Sequence, residues 1–176
     1  MMRLFIHLLF FDHKICFMKA LKYQTVSVAI TTLHELCAAL LEGKKKCEDL
    51  ARKIGNEQLR KTIINLEQLN VQYARELHSQ IRSLGGEFND IDWDSHHDET
   101  MNNADTKTFN IQKETLNICS KVEYPIIKLY RKILRQPVIN NSLKKIIQYQ
   151  MNGIMCTTLQ LKLLSKFLRS QEVSIS

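Results

Sequence analysis

An all-α fold, a four-helix bundle of two antiparallel hairpins joined by a long connection, follows from three observations. The chain has 2 prolines and 5 glycines in 176 residues, too few for a sheet-rich or linker-rich protein. Apolar residues recur at alternating spacings of four and three along four stretches of similar length. Gly85-Gly86 and the polar segment after them divide those stretches into two pairs. The length suits one domain with a real core, and 44% apolar and 24% charged residues are ordinary for a soluble protein.

The first helix is expected from about Thr25 to Ile54, with Val26, Ile30, Leu33, Cys37, Leu40, Cys47, Ala51 and Ile54 on one stripe, broken at Lys44. Gly55 stops it and Asn56 can cap its successor, so the second helix must turn straight back. That helix runs from about Glu57 to Leu84 on Leu59, Ile63, Leu66, Asn70, Tyr73, Leu77, Gln80 and Leu84, flanked by Leu69 and Ile81. Asn70 and Gln80 are polar residues on an apolar seam.

From Gly85 to about Thr106 the chain is rich in Asp, Asn, His and Ser. Extended, such a segment reaches about 70 Å, against helices of about 40–45 Å. It can therefore cross the whole bundle, which would be the ferritin-like arrangement, or fold up at one end. The third helix is expected from about Lys107 to Arg135, with Leu116, Cys119, Glu123, Ile126, Tyr130 and Ile133 inward. Pro125 within it removes the bond to the Lys121 carbonyl and predicts a kink. Gln136-Pro137 ends it, and Asn140 or Asn141 can cap the fourth helix. That one runs to about Arg169 on Leu143, Ile147, Gln150, Ile154, Thr157, Leu161, Leu164 and Leu168. The bundle domain is thus 25–169, followed by a short polar tail, 170–176, expected to fray.

Residues 1–24 are read as an extension ahead of the domain, with Met18 as an alternative start. Leu4–Phe11 after Arg3 mimics a signal-peptide core, but it is too short to span a bilayer and no small-residue cleavage site follows. No transmembrane segment is expected. The five cysteines, Cys16, Cys37, Cys47, Cys119 and Cys156, form no Cys-x-x-Cys pair, which fits core thiols in a reducing cytoplasm. The net charge of +7 is spread over separate helices (Lys44–Lys46, Arg131-Lys132, Lys144-Lys145) without interleaved aromatics, an argument against a nucleic-acid surface.

A carboxylate-bridged metal pair in such a bundle needs Glu-x-x-His on two helices, since that spacing puts both ligands on one face. The chain contains no Glu-x-x-His; Glu76 and His78 are two apart, on different sides of their helix. His34-Glu35 lacks the second histidine of a zinc-protease motif, and no phosphate loop or nucleophile elbow occurs. No cofactor is expected. Glu123 on the third seam must be paired or hydrogen-bonded if buried. Asn70, Tyr73, Tyr130 and Gln150 are placed to form with it an interior polar network that fixes helix register, the competing reading being a ligand pocket. The remaining metal candidates are Glu76, His78 and the loop Asp90–Glu99 with His96 and His97, whose carboxylates and imidazoles suit a divalent cation but match no calcium loop.

With those residues in view, the chain resembles a bacterial family of ferritin-like four-helix-bundle proteins of unassigned function, over roughly Val28 to Leu168. Tyr73-Ala-Arg-Glu76-Leu77 and Leu84-Gly85-Gly86 resemble its aromatic-x-x-Glu-Leu and Leu-Gly-Gly signatures. Leu41–Cys47, Cys119–Glu123 with Tyr130, and Gln150 with Ile154 resemble its first, third and fourth helices. Cys47 stands in place of an aromatic, Asn70 of an Arg, Ser120 of a Glu, Val122 of a Gly and Thr158 of a common His, and Trp93 and His96 do not clearly match the family's Trp and His. The resemblance implies the ferritin-like fold and no activity, and this chain keeps Glu123 without its histidine partner. The resulting expectation is a cytoplasmic, non-catalytic binding, scaffold or stress-associated protein that docks a protein partner or a second copy. The rival expectation is a degenerate metal-binding or redox bundle centred on Glu123.

Overall fold

Two asparagines and two glycines punctuate the chain. In the computed structural model the described residues are 2–87, 121, 123–137 and 139–175, with side chains described from Gln24 onward, apart from Arg169 and residues 172–175. They form helices α1 (Met2–Lys53), α2 (Glu57–Ser83), α3 (residue 121 and residues 123–134) and α4 (Asn141–Ile175). No strand occurs among the described residues.

The Asn56 side chain accepts the Leu59 N–H at 2.9 Å and opens α2. Asn140 does the same for α4, accepting the Leu143 N–H at 2.8 Å. At the far end of α2, the Gly85 N–H donates to the Arg82 carbonyl and the Gly86 N–H to the Ile81 carbonyl, both at 3.0 Å. That is the Schellman pattern, and Gly85 supplies its left-handed residue at φ 82°. Gly86 serves closeness instead: a β-carbon there would stand 2.7 Å from Ile81 Cγ2 and 3.0 Å from Ile30 Cγ2.

Pairings between helices set their directions. Cys37 meets Ala74, and Gly86 approaches Ile30, so α1 and α2 are antiparallel. Glu35 pairs with Lys132 and Thr32 with Gln136, so α1 and α3 are antiparallel too. Glu76 meets Gln150 and Tyr130 meets Gln150, which orients α4 against both α2 and α3 when taken with Tyr73–Gly153 and Glu123–Lys162. The backbones of α1 and α4 do not approach each other, so these two lie on a diagonal. It follows that α2 and α3 run in the same direction. The end of α2, beside Ile30, and Lys121, beside Lys46 and Leu50, lie at opposite ends of the bundle.

The core takes its side chains from all four helices. Leu33, Leu36, Cys37, Leu40, Cys47, Leu50 and Ile54 face Leu59, Ile63, Leu66, Tyr73, Leu77 and Ile81, and Ile126, Tyr130, Ile133, Leu143, Ile147, Ile154 and Leu161 complete it. At the end of α2, Ile81 is buried and the expected Gln80 is only half-buried. Apolar transfer free energy selects Ile81, one position on, because the helical stripe drifts against a strict four-three spacing. Lys44, the break in the first stripe, is 9% exposed and meets Glu48 at 3.4 Å, one turn on.

Two boundaries differ from expectation. The backbone of α1 is helical from Met2, not from about Thr25, so a helix of 52 residues faces one of 27. At 1.5 Å per residue that is about 78 Å against about 40 Å. Likewise α4 continues through Ile175, over the tail expected to fray. Helix-favouring residues such as Leu21-Lys22 and Gln171-Glu172 leave no stop signal at either place. The segment Gln24–Lys53 is long and apolar enough to cross a membrane by length and composition; in the bundle its apolar side is the α1 share of the core. The helix of α3 runs unbroken from 123 to 134 through Pro125.

Candidate functional site

Halfway along the bundle a chain of polar side chains crosses the core. The Tyr130 hydroxyl of α3 donates to Gln150 Oε1 of α4 at 3.2 Å. The Gln150 amide then donates through Nε2 to Glu76 Oε2 of α2 at 2.7 Å. Gln72, one turn before Glu76 on the same face, donates to Glu76 Oε1 at 2.9 Å. Both amide atoms of fully buried Gln150 are thereby used, and the Glu76 carboxylate, part-buried, accepts a bond on each oxygen.

Tyr73 packs in the same layer. Its ring meets Tyr149 edge-on, with centroids 6.2 Å apart and planes at 71°. Its hydroxyl points at Gly153 of α4, where a β-carbon would lie 2.2 Å from the oxygen. The Cys37 thiol donates to the Ala74 carbonyl at 3.6 Å. Burial pushes the Cys37 thiol up to about 11 and, with Tyr149 and Glu76 adding to it, the Tyr73 hydroxyl up to about 12. Burial drives Tyr130 higher still, with Tyr73 and Glu76 contributing. These groups are therefore protonated donors at neutral pH, not nucleophiles.

Of the expected network, the structure joins Tyr130 and Gln150 directly and sets Tyr73 beside them. Glu123 stands elsewhere. It is part-buried on α3 and takes an ammonium bond from Lys162 of α4. The charge pair relieves the cost of burying the carboxylate, and Glu123 lies two helical turns before Tyr130, away from the tyrosine layer. Asn70 is fully buried, and neither its amide nitrogen nor its oxygen has a partner among the described residues.

Two parts of the layer escaped sequence reasoning. Glu76 reads in the sequence as a candidate metal ligand and not as a network member, although Gln72 and Glu76 at i, i+4 are a readable signal. Gly153 was legible only as an isolated glycine inside a helical pattern. His78 is half-buried on α2, and His96 and His97 lie outside the described residues, as do Leu116, Cys119 and the segment 88–106. No group of three His, Cys, Asp or Glu side chains able to hold a metal occurs among the described residues.

A second surface feature accompanies the layer. Gln58 and Thr62 of α2 and Cys156, Leu159, Gln160, Leu163, Leu164 and Phe167 of α4 line an open groove of about 540 Å³. Cys156 is exposed there, whereas Cys37 and Cys47 are buried.

Neither the curated proteins nor the solved structures include a match to this chain. A family profile does match, over residues 28–136, a span that takes in α1 from Val28, all of α2 with its Leu84-Gly85-Gly86 cap, and α3 with Glu123 and Tyr130. With more than half of its length matched, the chain belongs to the family described as Domain of unknown function (DUF2383).

Proposed function

We propose that this protein is a non-catalytic bundle of ferritin-like topology that acts in the cytoplasm as a binding or scaffold module. The parallel course of α2 and α3 supports the topology, since successive parallel helices distinguish the ferritin-like bundle from an up-down-up-down one. One observation carries the functional reading. The two part-buried glutamates weighed as ligands on the inner helices are spent on separate interhelical ties, Glu76 on Gln150 and Glu123 on Lys162, and Glu76 also accepts from Gln72 of its own helix. A dinuclear site needs its carboxylates to converge with histidines on one point, and these two serve different pairs of helices.

Metal analysis of protein purified without chelator tests the reading. Sub-stoichiometric metal is expected, with no change in melting temperature on adding Fe²⁺, Mn²⁺ or Zn²⁺. A stoichiometric transition metal that Glu123→Gln removes would overturn it in favour of a metal-handling or redox bundle. A stress-associated role is compatible with a binding module and is read by the same protein's abundance under stress.

A further inference from the structure

The described large apolar side chains left in solvent are concentrated on one helix. Tyr149, Met155, Leu159, Leu163 and Phe167 of α4 are all exposed, at 38–66%. The last four recur every fourth residue and so form a stripe along one side of α4. The inward side of the same helix is already occupied by Leu143, Ile147, Ile154 and Leu161 of the core. Among the described residues the stripe is therefore surplus to the core packing, and an exposed apolar row of this kind marks an interaction surface. It borders the groove whose opposite wall is Gln58 and Thr62 of α2. From Cys156 to Phe167 the groove spans about three helical turns.

Charge selects the occupant. Between Asn141 and Gln171, α4 contains no Asp or Glu but carries Lys144, Lys145, Lys162, Lys166 and Arg169. Lys162 is paired to Glu123, while Lys166 is exposed next to Leu163 and Phe167. Resting on the binding-module reading above, we propose that the α2–α4 groove receives an amphipathic helix of acidic character from another protein. Apolar anchors of that helix, at i, i+3, i+4 and i+7, enter beside Leu159, Leu163 and Phe167. Its flanking carboxylates meet Lys166, exposed beside the groove. A second copy of this chain fits poorly, because a two-fold contact sets the acid-free stretch Asn141–Gln171 of α4 against itself and brings cation to cation. A bilayer fits poorly as well, since an interfacial helix lays its apolar face open to the lipid, and here the apolar row borders a cleft whose other wall is the polar pair Gln58 and Thr62.

The test titrates the full chain with a labelled helix-forming peptide of Leu and Glu, patterned for one apolar face, and with a twin carrying Lys for Glu. The Glu peptide is expected to saturate, to weaken as salt rises, and to lose about tenfold or more in affinity on Leu163→Glu or Lys166→Glu. Leu163 is 58% exposed, so its replacement leaves the core intact, which circular dichroism checks. Lys45→Glu, on the diagonal helix α1, leaves binding unchanged. Equal binding of both peptides, or indifference to Leu163→Glu, overturns the proposal. So does preferential binding to phosphatidylserine vesicles, or self-association that Leu163→Glu abolishes. A metal-free protein that fails to bind the Glu peptide sinks the groove proposal alone, whereas a stoichiometric metal sinks the functional reading while the peptide result stands.

Discussion

The Tyr73 hydroxyl occupies the space that a side chain at Gly153 would need: a β-carbon there would come within 2.2 Å of the oxygen and 3.1 Å of Tyr73 Cζ. Two helices are thus locked in register by the fit of one phenol against one bare backbone. Gly153→Ala normally stabilises a helix interior by about 1 kcal/mol. Here the sign should reverse, with a loss of about 1–3 kcal/mol from overpacking. Urea denaturation measures it, and a double-mutant cycle with Tyr73→Phe, which removes the closest atom, should recover most of the loss. A stabilised Gly153→Ala variant would show that Tyr73 moves aside freely.

Gln150 joins Tyr130 to Glu76 across the core. Gln150→Ala leaves a buried hydroxyl and a part-buried carboxylate each short of a partner, and about 2–4 kcal/mol of stability should go. Tyr130→Phe leaves only the buried Gln150 Oε1 short of its donor and should cost about 1–2 kcal/mol. Chemical denaturation of the two variants separates the cases, and equal losses would mean that the Glu76 bond contributes nothing.

Asn70 buries both amide atoms without a partner among the described residues. Asn70→Leu, of similar volume, should stabilise the protein by about 1–2 kcal/mol, because desolvation of the amide is then avoided. A destabilised Asn70→Leu would instead reveal a bond that the amide makes.

Alkaline pH should weaken the fold in steps. Cys37 is raised from 9.0 to about 11 and Tyr73 from 10.0 to about 12. The native state holds these protons more tightly than the unfolded chain, so their stabilisation is complete below about pH 9. It falls between about 9 and 11 for Cys37 and between about 10 and 12 for Tyr73. Thermal melts at stepped pH should show the first decline above pH 9, and Cys37→Ala should delay it to about pH 10. Identical profiles for wild type and variant would contradict the burial of the thiol.

The helical class, the Asn56 cap and the Gly85-Gly86 stop were legible because each rests on local chemistry: a side-chain acceptor for a free N–H, a left-handed residue, a repeating apolar stripe. The burial of Ile126, Tyr130, Ile133, Leu143, Ile147 and Leu161 followed from the same periodicity. The partner of Glu123 was not legible, because Lys162 lies 39 residues away and nothing in either stretch announces the other. Nor was the start of α1, where an uninterrupted helix-compatible run has no boundary to read.

By itself, then, the sequence determined the helical class and the core-facing stripe of each described helix, since helix periodicity and capping act over a few residues. Only the tertiary structure decided which polar groups meet. It brought Glu76 to Gln150, sent Glu123 to Lys162, set Gly153 under Tyr73 and left the Leu159–Phe167 stripe of α4 in solvent. The physical reason is that a stripe specifies a face but not its neighbour, and neighbours follow from how four faces of unequal bulk and charge pack against one another.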